Sequence, residues 1–393
     1  MPTKYLVLRA QAPLVPTLEV FGVTARVPEG NELSIVAIPG HEYDAGTLRA
    51  DPQNAVVMDA ETRLALIEPT EKTDGASANV TRINGLSVPM GLIAVRAHAS
   101  RCSGAGVKVA VLDTGIDKSH PAFLGKNLKT RDFTGTGNDP SDVRDDLGHG
   151  THCAATICGN LVAGTRLGVA PGVSDLIIGK VVGPDGGTLE MLLRALYWAI
   201  IDEKADVVSM SLGYDLPGNV ARLVARGMDT AVAANLAMRQ QRDMSEGIRE
   251  LGEFLRWAAP HAVFAAATGN ESKRPGYSID AGLPAVEFLA VGAVGLTGGE
   301  WKVAPFSNGR AKIVAPGVDV VSARAGGGLI SMSGTSMATP HVAGVAALWL
   351  EHLRQINGVV PRDAVAARLL ATAAAQSGAD RDAVGAGLVQ SPP

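Results

Sequence analysis

From Val107 onward the chain is punctuated by short apolar runs: VKVAVLD, DLIIGKVV, DVVSMSL, AVFAAATG and FLAVGAV. Each is rich in Val, Ile, Ala and Leu and is bounded by Gly, Asp or Pro. Runs that stay apolar, rather than alternating with polar residues, belong to strands buried on both faces. Between them lie segments with apolar residues at helical spacing, such as TLEMLLRALYWAIIDEK from Thr188 to Lys204. Alternating strands and helices predict an α/β fold, a largely parallel sheet flanked by helices.

Two regions depart from this rhythm. Residues 1–84 carry three further strand-like runs, KYLVLRA, LSIVAIPG and NAVVMDA, which predict a small N-terminal α+β unit. The polar stretch EPTEKTDGASANVTR reads as a linker joining it to a main domain over residues 85–393. The second departure runs from about 214 to 260, where Met244, Ile248, Leu251 and Leu255 recur at helical spacing. It reads as a helical insertion between two strands.

Composition narrows the function classes. A net charge of -4 without a Lys/Arg block argues against nucleic acid as a partner. The chain has no apolar stretch near the roughly 18 residues of a membrane span. Its N-terminus does not read as a secretory signal, and Cys102, Cys153 and Cys158 cannot all pair. All three are expected as reduced thiols, which favours a cytoplasmic protein. A signal removed from the chain would instead make it secreted.

Three segments carry candidate chemistry. In VAVLDTGID, Asp113 ends an apolar strand, the end of an α/β sheet at which sites assemble. Alone it would read as a turn or capping aspartate. In DDLGHGTHCAA, His149 precedes a helix that carries His152 and Cys153. Zinc ligation by His149 and His152 lacks a third ligand at fitting spacing. In SMSGTSMATPHVAG, Ser336 sits at the start of the apolar helix VAGVAALWLEHL, where a serine would ordinarily cap. The helix's positive end would equally stabilise an oxyanion formed beside it.

Together the three make a different case. A serine hydroxyl becomes a nucleophile when a histidine takes its proton, and the histidine needs a carboxylate to fix its tautomer. The chain order here is Asp113, His149, Ser336. Chymotrypsin-like enzymes begin with the histidine and α/β-hydrolases with a serine in a G-x-S-x-G elbow.

DTGID, GHGTH and GTSMATPHVAG resemble the signature segments of subtilases, the subtilisin-like serine proteases. The likeness extends from SVPMG at Ser87 through GVAP at Gly168 and SMSLG at Ser209 to GAGLV near the C-terminus. It implies a subtilisin-like fold and a serine endopeptidase of protein or peptide substrates, working through Asp113, His149 and Ser336. Asn270, which ends AAATGN, would complete the oxyanion hole. Ser211, Leu212 and Gly213 would line one side of the substrate pocket, and Ala266, Ala267 and Thr268 the other, although Leu212 fits a core position equally well. Cys153 resembles the buried thiol of the proteinase-K-like branch. The N-terminal segment has the size of a prodomain, implying a self-inhibited zymogen cut somewhere between about Leu66 and Ser87; an uncleaved accessory domain is the other reading.

The chain departs from the subtilase pattern at the tight calcium site. Ala122 and Val162 stand where oxygen ligands are usual, so no cofactor is expected there. Calcium near Asp139, Asp142, Asp145 or Asp146 is left open. Two rival functions stay in view. One is a dedicated maturation protease or peptide ligase acting on a single partner or precursor; the other is a non-catalytic binding protein on the same fold.

Overall fold

The computed structural model describes residues 4–10, 18–20, 23–25, 33–39, 45–50, 54–59, 62–75, 79–137, 139–214, 216–280, 288–376 and 378–393. The chain divides into two compact units. One comprises Met1–Arg63, Thr188–Arg194 and Asp215–Phe254; the other comprises Leu64–Gly187, Ala195–Tyr214 and Leu255–Pro393.

In the larger unit the five apolar runs are the spine of one sheet. Its order is Asn127–Asp132, Asp175–Lys180, Lys108–Asp113, Val207–Met210, Val263–Ala267 and Leu289–Thr297, all parallel. Ile313–Pro316 adds in parallel to Leu289–Thr297, and Glu300–Val303 adds antiparallel to it. The strand Lys108–Asp113 lies inside the sheet, and the chain winds outward from it in both directions. Such a reversal opens a crevice at the carboxyl ends of the strands, where Asp113 stands.

The helices that cover this sheet are buried almost completely. Every residue of His149–Cys158 is buried, as are all the residues of Thr335–Asn357 from Thr335 to Leu350. Val342, Val345, Ala346 and Leu350 of the second helix join Val109, Val111, Ile157 and Val291 in one core. Small residues such as Gly344, where a Cβ would meet Val169 at 2.6 Å, let this helix lie close against its neighbours.

The smaller unit holds a three-stranded antiparallel sheet with Lys4–Ala10 between Leu33–Pro39 and Asn54–Asp59. Tyr5, Val7, Ile38 and Leu48 form its core. The predicted 214–260 insertion consists of helices Leu216–Ala225 and Thr230–Ala258. Met244 and Ile248 are buried, as their spacing requires. The side chains of Leu251 and Leu255 lie outside the described residues.

Two local expectations are corrected. The helix predicted from Thr188 to Lys204 is α-helical only over Leu189–Tyr197 and continues as a π-helical turn, Trp198–Asp202. The polar stretch read as a linker instead forms strands Glu71–Asp74 and Val80–Ile83; Ala76–Ala78 lie outside the described residues. Glu71–Asp74 pairs antiparallel with Leu329–Ser333, a partner some 260 residues away that local patterning could not reveal.

Candidate active site

The carboxyl end of Lys108–Asp113 and the start of His149–Cys158 meet at two glycines. Gly115 has φ +114°, and a Cβ on it would strike the Val143 carbonyl at 2.2 Å. A Cβ on Gly150 would strike the Gly115 carbonyl at the same distance. The glycines of DTG and GHG thus allow strand end and helix end to touch. The contact brings His149 Nδ1 to 2.7 Å from Asp113 Oδ1, with both side chains buried.

Asp145, which the sequence offered only as a possible calcium ligand, fastens this junction. It is buried and accepts hydrogen bonds from Thr114 Oγ1, the Gly148 amide, and both the amide and hydroxyl of Thr151. Thr114 in turn accepts from the Gly150 amide and donates its own amide to Asp113. Burial pulls the His149 imidazole toward neutrality, but the Asp113 charge and hydrogen bond outweigh it and raise its pKa well above 6.5. His152 accepts no such help: burial lowers it to about 3, and its Nε2 meets the Val320 carbonyl at 2.9 Å. Asp113 takes His149 Nδ1 and the Val320 carbonyl takes His152 Nε2, and His152 joins no cluster of three or more His, Cys, Asp or Glu ligand atoms among the described residues. A soft metal ion could instead be held by Asp113, His149 and Cys153, whose ligand atoms lie within 4.8 Å of one another. It would have to displace the Asp113–His149 hydrogen bond.

Ser336 is not the helix cap. The capping position is Gly334, whose backbone is extended, and Ser336 is the second residue of Thr335–Asn357. A side chain at Gly334 would press on the Asn270 amide nitrogen at 3.0 Å, so glycine keeps that space open. Nor does Pro340 fall in the first turn, where a missing N–H is free of cost. Its absent N–H leaves the Ser336 carbonyl without its helical donor. That carbonyl accepts instead from the Cys153 thiol at 3.4 Å and the Ser211 hydroxyl at 3.3 Å. The buried thiol, raised in pKa first by burial, stays protonated and able to donate.

Asn270 bridges the helix start and the cleft. Its Oδ1 accepts from the Thr335 amide and hydroxyl, both at 2.9 Å, which turns its Nδ2 outward. There Nδ2 donates to the Glu68 carbonyl at 2.8 Å.

The residues expected to line the substrate pocket occupy two strand ends. Ala266, Ala267 and Thr268 are fully buried at the carboxyl end of Val263–Ala267. Leu212 and Gly213 lie in the strand Leu212–Tyr214, antiparallel to Arg63–Leu66 with Leu212 opposite Leu66 and Gly213 opposite Ala65. Ser211 extends the pairing, its carbonyl accepting the Ile67 amide at 3.1 Å.

The segment from Leu64 to Asp74 therefore runs through the site. Ile67 is buried, and its carbonyl accepts the Ser336 hydroxyl at 2.6 Å. The Thr70 amide reaches the Ser333 carbonyl at 2.8 Å, and Glu71–Asp74 follows on Leu329–Ser333. With Ser336 Oγ engaged by Ile67, His149 Nε2 is buried without a hydrogen-bond partner among the described residues. The sequence held one signal for this: LALI, a short apolar run directly before the polar stretch that opens with Glu68 and Pro69.

A buried Asp–His pair, a serine at a helix start and an outward-turned asparagine amide together suit acyl transfer. Comparison with known proteins agrees. The sequence profile of the subtilase family matches residues 104–387. The chain belongs to the subtilase family. It is 35% identical over 270 residues to an intracellular serine protease of Paenibacillus polymyxa, covering 66% of this chain and 72% of that one. The major intracellular serine protease of Bacillus subtilis is 33% identical over 272 residues, covering 66% and 74%. A subtilisin-like serine protease of Penicillium rubens, Pen ch 13, is 30% identical over 346 residues, covering 84% and 75%. This subtilase is accordingly a subtilisin-like serine endopeptidase that acts on protein or peptide substrates.

Proposed function

We propose that this subtilase hydrolyses peptide bonds through Asp113, His149 and Ser336, and that its own segment Leu64–Asp74 holds it inactive until displaced. In the open enzyme Ser336 Oγ attacks the scissile carbonyl while His149 Nε2 takes its proton, and Asp113 steadies the imidazolium through the 2.7 Å bond to Nδ1. Asn270 Nδ2 and the Ser336 amide hold the oxyanion. His149 then protonates the leaving amine, and water, activated by the same histidine, releases the acyl group.

The observation that carries the inhibited state is a register conflict. Upstream, the Ile67 amide on Ser211 makes Ile67 the residue before the scissile bond. Downstream, Asn270 grips the carbonyl of Glu68, one residue later. No single carbonyl faces both the nucleophile and the oxyanion donor. The hydroxyl proton of Ser336, given to the Ile67 carbonyl, is also withheld from His149. The carbonyl that Asn270 does hold precedes Pro69, whose nitrogen is locked in a ring.

The reading requires no calcium at Ala122 and Val162. The Ala122 side chain offers no oxygen, and its carbonyl already accepts the Asn160 amide at 2.9 Å. Asp145 is spent on internal donors, which speaks against it as a calcium ligand.

The test compares the full chain with Ser336→Ala. Hydrolysis of a peptide substrate should fall about 10⁴–10⁶-fold in the variant. Slow release of an N-terminal fragment, if it occurs in the wild type, should vanish. Undiminished hydrolysis by Ser336→Ala would remove the proposed nucleophile.

A further inference from the structure

We propose that the edge of Leu329–Ser333 now covered by Glu71–Asp74 is an extended docking strand for protein substrates, taking the third to sixth residues after the scissile bond. The inference rests on the reading of Leu64–Asp74 as an occupant of the substrate cleft. Leu329–Ser333 is held on its other edge by Val320–Ala323, so a strand-shaped vacancy would form wherever Glu71–Asp74 departs. An open edge of this kind is filled by adding an extended chain.

The covering strand is held through its backbone. All four side chains from Glu71 to Asp74 are exposed, in contrast to buried Leu64 and Ile67 upstream. Its Asp74–Arg324 ion pair, at 3.3 Å, joins side chains that are more than half exposed, so solvent screens it. The Gly75 amide donates to the Leu329 carbonyl at 3.1 Å. In an antiparallel ladder such pairing recurs at every second residue, which makes Thr73 a paired position opposite Ser331. Any extended segment with free amides at those positions meets the same acceptors.

The chain path sets the numbering. A substrate carbonyl seated where Asn270 holds that of Glu68 precedes the scissile bond, so Pro69 and Thr70 mark the first two residues after it. Glu71–Asp74 then corresponds to the third through sixth. Beside this strand a cavity of about 740 Å³, lined by Lys72, Ile116, Asp117, Val143, Ile330 and Met332 among others, gives the fourth residue's side chain room of almost any size. The partner that fits is an unfolded or loosely held protein segment, extended for at least six residues beyond the cut.

The test uses the full chain carrying Ile67→Asp, which loosens the segment from the cleft, alongside the wild type. Peptides share the residues before the cut and carry two, four or six residues after it. The expected result is a rise of about 10-fold or more in kcat/KM from two to six, the worth of two added backbone hydrogen bonds. N-methylation at the fifth residue should erase the gain, and at the fourth should spare it. A second readout needs no turnover: the six-residue-tailed peptide should protect the amides of 329–333 from hydrogen exchange. A flat length series with no protection overturns the docking strand. If Ile67→Asp fails to raise hydrolysis of the two-residue peptide, the inhibitory reading itself fails, and the docking strand that rests on it falls with it.

Discussion

The upstream and downstream halves of Leu64–Asp74 engage the same cleft by different physics. Upstream, Leu64 and Ile67 are buried and the backbone pairs with Leu212–Tyr214, so specificity and grip come from side chains. Downstream, every side chain of Glu71–Asp74 is exposed and the backbone alone holds the strand on Leu329–Ser333. Between them the two registers disagree by one residue, at Ile67 and Glu68. A segment that is gripped firmly but seated wrongly for attack inhibits; seated correctly, it would be a substrate.

The largest way to disturb this balance is at the shared point. Asn270→Ala removes the donor that holds the Glu68 carbonyl and would hold the oxyanion. It should lower kcat about 10²–10³-fold with little change in KM, measured on a short peptide. An unchanged kcat would strip Asn270 of that role.

Next comes Ile67→Asp, which places a charge where a buried aliphatic sat. Burial of such a side chain is worth about 1.5–3 kcal/mol, so hydrolysis of a short peptide by the full chain should rise about 10–100-fold. The downstream counterpart, Lys72→Ala, should change the same rate less than about 2-fold, because Lys72 is exposed and its backbone is unaltered. Equal effects at both positions would break the distinction between the halves.

Acidity sharpens the picture at the catalytic pair. The raised His149 pKa means that the imidazole is protonated, and unable to accept the Ser336 proton, at pH values below that raised point. In Ile67→Asp, kcat/KM should therefore fall on acidification with a midpoint above 6.5, because freeing the cleft relieves the burial that opposes protonation while the Asp113 charge stays in place. A midpoint below 6.5 would show that the Asp113 bond does not dominate in the open enzyme. The smallest expected effect is that of Cys153→Ala. It removes one of two donors to the Ser336 carbonyl and should cost about 1–2 kcal/mol of stability in denaturant unfolding.

Much of this was legible in the sequence, for reasons that differ by region. The five apolar runs became parallel strands because burial on both faces leaves a continuous hydrophobic imprint. Asp113 was legible at the end of an apolar strand and His149 between glycines, whereas Asn270 came only from the resemblance to subtilases; the close approaches that Gly115, Gly150 and Gly334 permit were visible only in the fold. From the sequence Pro340 reads as a proline tolerated near a helix start; that it lies inside the helix, and that Cys153 and Ser211 reach the Ser336 carbonyl from elsewhere in the chain, only the fold shows. The polar stretch after Glu68 hid its strand because a backbone-held edge needs no apolar pattern, and its partner lies some 260 residues away. Ser336 looked like a cap because a cap and a nucleophile at a helix start use the same hydroxyl.

The most direct measurement is the rate at which a fluorophosphonate labels Ser336, followed by mass spectrometry in the wild type and in Ile67→Asp at equal concentration. A segment that takes the Ser336 hydroxyl and leaves His149 unpartnered should make the wild type react at least about 10-fold more slowly than the variant. Equal labelling rates at Ser336 in both proteins would contradict an enzyme held shut by Leu64–Asp74.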